Sequence, residues 1–161
     1  MIPVSMQLID HRYQTKIEGI ESLRLGVAVA LIDFQGQLLL ERRSDVGWWG
    51  VTGGRLDVGE TPVECGLREI YEETGLTLAP EHLTLFSVYG DPLDGRVLQY
   101  PDCRTHLVDI VYFSVLQNPS QLCLSDESLE LKFFSAEDLP DQIVPPAIRP
   151  IRDLIDKGVV R

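Results

Sequence analysis

Apolar positions along the chain follow two different periods. From Leu25 to Ile32 the run LGVAVALI is apolar and partly β-branched, the pattern of a buried strand. DFQGQ (33–37) supplies turn chemistry around Gly36, and LLLERR (38–43) reads as a second strand, so 25–43 is predicted to form a hairpin. WWGVTGG (48–54) predicts a short strand that ends in a glycine turn at Gly53 and Gly54. The spacing then changes. At about 100° per residue, Val63, Leu67, Ile70 and Thr74 fall on one side of a helix. Thr61 is placed as its N-cap, Pro62 at its first position, Glu64 to close a capping box, and Gly75 as a left-handed stop, so a helix is predicted over 62–74.

Beyond the helix, LTLFSVYG (83–90), HLVDIVYFSVL (106–116) and LELKFFS (129–135) read as strands, with 91–105 as a loop and AEDLP (136–140) as a helical turn. PPAIRPIRDLIDK (145–157) has Ile148, Ile151 and Ile155 at helical spacing with Leu154 beside them, and predicts an amphipathic helix. Residues 1–22 give a weak signal for an extra strand or a peripheral helix. Strands alternating with two helices indicate an α/β domain with a mixed sheet. No linker or boundary interrupts the 161 residues, and one domain is expected over 1–161, with 1–23 as an N-terminal extension and 24–157 as the core.

Charge narrows the choice of function. A formal net charge of -11 disfavours binding to nucleic acid polymers or anionic membranes, which need clustered Lys and Arg. The longest apolar run is too short to span a bilayer, and MIPVSMQLID lacks the flank and core of a signal peptide. Cys65, Cys103 and Cys123 show neither metal-ligand spacing nor an even count, which reads as reduced thiols in a cytoplasmic protein. His11, His82 and His106 likewise have no metal spacing.

The chemistry concentrates in the predicted helix. Glu69, Glu72 and Glu73 cluster within about 100° opposite its apolar side. A solvated helix face usually interleaves Lys with Glu, yet Arg68 is the only basic residue here. Three carboxylates beside a glycine backbone make an all-oxygen donor set suited to Mg²⁺ or Mn²⁺. The fixed positions are Gly54, Glu60, Arg68-Glu69-Ile70, Glu72-Glu73 and Gly75-Leu76. This pattern resembles the signature of the Nudix hydrolases, with all nine defined positions filled across 23 residues. Thr52 stands where many members have proline.

The resemblance implies a Nudix fold, an α/β/α sandwich around a mixed β-sheet. It implies Mg²⁺- or Mn²⁺-dependent hydrolysis of the pyrophosphate bond in a nucleoside diphosphate linked to another group. Carried over, Glu69, Glu72, Glu73 and the Gly53 carbonyl are metal ligands, Arg68 orients a helix carboxylate, and Glu60 supports from outside the helix. The base is left open between a helix glutamate, such as Glu72, and a distal acid, Glu127 or Glu130. Arg42 or Arg43 is placed to hold phosphate, and Trp48 to stack on a base. Pro92, in DPLDGR, leans the reading slightly to ADP-ribose or a related sugar nucleotide. A MutT-like nucleoside triphosphate pyrophosphatase and a non-catalytic nucleotide-binding module are the alternatives, and dinucleoside polyphosphates stay open. A homodimer accords with the resemblance, with residues 1–22 offered as an exchanged strand.

Overall fold

The computed structural model describes Tyr13–Gln14 and residues 18–161. Its strands are β1 (Tyr13–Gln14), β2 (Ser22–Ile32), β3 (Leu38–Arg43), β4 (Trp49–Gly50) and β5 (Thr52–Arg55), then β6 (Thr84–Tyr89), β7 (Val97–Gln99), β8 (Arg104–Val115) and β9 (Ser128–Phe134). Two α-helices accompany them, α1 (Pro62–Thr74) after β5 and α2 (Pro145–Asp156) after β9. All the strands join one mixed sheet with β2 at its centre. β2 runs parallel to β8 from Ser22↔Thr105 to Ile32↔Val115, and antiparallel to β5 from Gly26↔Arg55 to Val29↔Thr52.

Alternation along β2 sets the layers. Val27, Val29 and Leu31 face one side, where they pack with Leu39, Ile70 and Tyr112. Ala30 and Ile32 face the other, where Leu38, Leu40, Ile143, Ile151 and Leu154 pack against them. Helix α1 therefore covers one face of the sheet and α2 the other, giving an α/β/α sandwich. A fully buried Ile or Leu in these layers contributes about 1.5–3 kcal/mol relative to exposure.

Both ends of α1 form as the local chemistry dictates. Thr61 Oγ1 accepts from the Glu64 amide at 3.2 Å, and Glu64 Oε2 accepts from the Thr61 amide at 2.8 Å. Gly75 closes the helix at φ 72°, and its N–H donates to the Tyr71 carbonyl. In α2, Ile151 and Leu154 are fully buried and Ile148 and Ile155 pack beside them.

Four local expectations change. The β2–β3 hairpin is paired only at Ile32↔Leu38, because β5 takes the place beside β2 from Gly26 to Val29. Gly53 and Gly54 lie inside β5, not in a turn: each pairs with β2, and neither has a positive φ. The loop 91–105 contains β7, which pairs with β8 and with Tyr13–Gln14, so a short strand of the N-terminal segment does join the sheet. Residues 136–140 form a hydrogen-bonded turn without helix, Asp138 N–H donating to the Ser135 carbonyl. The proposed exchange of residues 1–22 falls largely outside the described residues. No helix among the described residues is long and apolar enough to cross a membrane.

Candidate active site

The acidic side of α1 faces the edge of β5, where the absence of side chains lets the two elements meet. A Cβ on Gly54 would lie 2.2 Å from Glu69 Oε1, and the Gly53 N–H donates to Glu73 Oε2 at 3.2 Å. That bond shows that the Gly53 amide points away from β2. In an extended strand a residue's carbonyl projects to the same side as its N–H. The backbone of β5 thus gives the helix carboxylates one donor and sets one carbonyl oxygen beside them.

Arg68 organises the outer half of this group. Its Nε donates to Glu60 Oε1 at 2.7 Å and Nη1 to Glu69 Oε1 at 2.8 Å and Glu72 Oε2 at 3.3 Å, while Nη2 donates to the Arg55 carbonyl at 3.1 Å. Asp57 lies 3.7 Å from Nη2. The paired guanidinium, with the Asp57 amide, holds the Glu60 carboxyl down at about 2, and these same carboxylates raise the arginine. Glu60 therefore contributes stability that is complete above the unfolded value of 4.5 and is lost as pH falls toward about 2. Arg68→Ala is expected to lower stability at pH 7, with the gap from wild type narrowing on acidification below pH 4.5; urea melts across that range read it.

Glu73 behaves in the opposite way. It is 8% exposed, and burial, the adjacent Glu41 and Glu69 all push its carboxyl well above the usual carboxylate range. Glu69 is raised too, chiefly by burial, with Arg68 opposing. Glu41 is a residue that motif spacing does not reveal. It sits in β3, is 4% exposed and accepts a short hydrogen bond from Ser128 Oγ. The signal for it was present: in LLLERR, Glu41 shares the phase of the buried Leu39.

Among the described residues no three His, Cys, Asp or Glu side chains already converge on one point for an ion. Glu69 and Glu72 are held by Arg68, while Glu73 turns to Gly53. The donor chemistry still fits a hard divalent cation. Glu41, Glu69 and Glu73 are carboxylates sunk into one region with a surplus of negative charge, beside a backbone carbonyl.

Other expected residues divide by location. Glu127, exposed just before β9, lines a cavity with Glu73, Glu41, Arg43, Ser44 and Asp45. Arg43 also reaches a second cleft that Gly53 and Gly54 border, and its guanidinium pairs with Asp45 at 3.1 Å. Arg42 is exposed, lines neither space and donates from Nε to the Gly47 carbonyl at 3.1 Å. Trp48 packs against the α2-side core and also lines neither space, and Trp49 meets Phe134 edge-to-face at 4.9 Å. Glu130 is exposed and pairs in register with Arg42. Cys65 is buried, which pushes its thiol up to about 12 and keeps it protonated.

Thr52, at the position of the family's frequent proline, is 1% exposed and its hydroxyl has no partner among the described residues. Thr52→Val is expected to raise stability by roughly 1 kcal/mol, because it removes an unsatisfied polar atom while keeping the branched shape. Chemical denaturation measures the gain.

The family model for the NUDIX domain matches residues 22–154. This chain belongs to the Nudix family. Its relatives include a candidate 8-oxo-dGTP diphosphatase of Bacillus subtilis (strain 168), 30% identical over 128 residues that cover 80% of this chain and 77% of the relative. They also include an ADP-ribose pyrophosphatase of Methanocaldococcus jannaschii, 31% identical over 147 residues, covering 84% of this chain and 81% of the relative. Among solved structures, a MutT NUDIX hydrolase from Burkholderia pseudomallei matches this Nudix chain with a TM-score of 0.67 and 26% identity, covering 82% of this chain and 98% of that one. The Nudix class is that of pyrophosphohydrolases, enzymes that generally use divalent metal ions.

Proposed function

We propose that this Nudix chain is a cytoplasmic, Mg²⁺- or Mn²⁺-dependent hydrolase that cleaves the pyrophosphate bond of a nucleoside diphosphate linked to a second group. The observation that supports it most is the seating of Glu73 against the Gly53 amide, with Glu69 pressed on Gly54. That contact with β5 supports a shared role for Glu69, Glu73 and the Gly53 carbonyl. Glu69, Glu72, Glu73 and that carbonyl would hold the cation. When bound, it supplies positive charge for the phosphate oxygens and acidifies a coordinated water.

The remaining work falls to the chain's own groups. Arg68 keeps Glu69 and Glu72 oriented and leaves Glu60 to brace it from outside the helix. Glu72 and Glu127 are the accessible carboxylates, suited to take a proton from an attacking water. Arg43, at the border of both cavities, is placed to meet the anionic bridge. A nucleotide-sensing module without chemistry is the weaker reading, because every motif carboxylate is present.

A panel of nucleoside diphosphate sugars, triphosphates and dinucleoside polyphosphates with Mg²⁺ or Mn²⁺, read by phosphate release after a coupled phosphatase, tests the proposal. Cation-dependent release from at least one member is the expected result. Binding of nucleotides without release from any member would overturn it. The two relatives act by name on substrates with different bases, so the choice of base falls to this chain's own cleft.

A further inference from the structure

A cleft lies on the α2 face of the sheet. Its floor is hollowed at alternate positions of β2, where Ala28 and Ala30 occupy the phase that carries Ile32 further along the strand. Pro146, Ala147 and Pro150 of α2 form its roof. The near end is bordered by Gly53 and Gly54. The far end, two strands across and roughly 10 Å away, holds Asp109 and Arg96.

Arg24 and Arg43 also line the cleft, and Asp109 is the one acid among its described lining residues. Arg96 is 1% exposed, yet its bonds are incomplete: Nη1 donates to Asp109 Oδ2 at 2.8 Å and Nη2 to the Pro146 carbonyl at 2.6 Å, while the buried Nε has no partner among the described residues. Tyr89 lies against its guanidinium at 5.5 Å. Asp109 keeps 24% of its side chain accessible, and among the described residues its Oδ1 takes no hydrogen bond. That oxygen occupies the space left by Gly26, where a Cβ would come within 2.4 Å of it. An acceptor at the end of a cleft otherwise lined by aliphatic groups and arginines is thus retained with a buried cation behind it.

We propose that Asp109 is the specificity-determining acceptor for a guanine-type base, with Arg96 as the residue that positions it; the inference rests on the nucleotide hydrolase reading above. Small side chains and prolines on facing walls give an apolar lining that suits a purine ring. A ribose placed there would leave hydroxyls against aliphatic carbon at a desolvation cost. The edge of the ring is chosen by charge. Guanine offers a ring N–H and an adjacent amino group, with no lone pair between them, to a carboxylate. Adenine flanks its amino group with ring-nitrogen lone pairs that a carboxylate repels. Arg24 and Arg43, in the same cleft, balance the charge of Asp109 and of an incoming phosphate. A guanine base runs against the slight lean to ADP-ribose.

Calorimetric titration of the full chain with GMP, IMP and AMP in Mg²⁺ buffer tests it. IMP differs from GMP only by the missing amino group. GMP is expected to bind at least roughly tenfold tighter than either. In Asp109→Asn the three are expected to fall within about threefold, with the change on a guanosine diphosphate sugar appearing in KM and not in kcat. Because Asp109→Asn strips Arg96 of its counter-charge, a second variant joins Asp109→Leu with Arg96→Met and replaces the buried pair by apolar groups. Circular dichroism establishes its fold, and it too should lose the preference. Equal binding by the wild type, preference for AMP, or retained GMP preference in the folded double variant would each overturn the assignment. If cation-dependent cleavage persists while GMP preference is absent, the base assignment fails and the hydrolase reading stands. If GMP binds selectively and no substrate is cleaved, the base assignment stands and the hydrolase reading fails.

Discussion

Glu73→Gln is expected to reduce turnover by roughly three orders of magnitude or more, since it removes the most deeply buried of the carboxylates placed to hold the cation. The same change should make the cation-free protein more stable at neutral pH. Glu73 is buried beside Glu41 and Glu69, and its carboxyl is raised. A raised acid binds its proton more tightly in the folded chain, so its contribution is complete below the unfolded value of 4.5 and is lost as pH rises through the folded value. At pH 8 with chelator the neutral glutamine escapes that loss, and a gain of about 1–2 kcal/mol is expected. Mg²⁺ should raise the melting temperature of the wild type and leave the variant nearly unmoved. Melts with EDTA and with Mg²⁺, beside a turnover assay, read all three. A variant that stays active, or one that Mg²⁺ still stabilises fully, would remove Glu73 from the site.

Gly53→Ala should be among the most damaging single substitutions in the chain. The added Cβ would lie 2.3 Å from the Val27 carbonyl oxygen and 2.7 Å from Ala28 Cα. These are backbone atoms of the central strand and have no room to yield. A loss of roughly 3 kcal/mol is expected, corresponding to a fall of about 6–12 °C in melting temperature for a domain of this size. Gly54→Ala provides the contrast. Its obstacles are the carboxylate atoms of Glu69, at 2.2 Å, 2.4 Å and 2.8 Å. A side chain can swing aside, so stability should fall far less while activity drops with the displaced Glu69. Equal stability losses in the two variants would show that Glu69 is as fixed as the strand.

Helix α1 was legible to the residue because its boundaries are written in local chemistry: a threonine cap, a proline, a capping glutamate and a left-handed glycine. The strands of the core were legible because short unbroken apolar runs, partly β-branched and bounded by turn residues, mark strands buried on both faces. What stayed hidden depends on partners distant in the chain. Two adjacent glycines read locally as a turn; only the neighbouring β2 and the carboxylate of Glu69 reveal them as a strand stripped for close approach. β7 has three residues and exists because β8 and Tyr13–Gln14 pair with it. Arg96 lay in what read as loop, and nothing near it in sequence announces Asp109. The motif residues were found by spacing, but which of them lean on Arg68 and which on β5 is a three-dimensional outcome.

The central pairing of the sheet has a bearing on how the chain folds. Ser22 meets Thr105 across 83 positions, and the whole of β2 waits on that distant segment for its parallel neighbour. Until then one flank of the most apolar strand is open, while α1 can wind and cap itself early from local signals. Assembly should therefore be slow relative to helical proteins of equal length, with loop closure as the delaying step. A nascent chain halted before residue 104 would expose that flank to self-association.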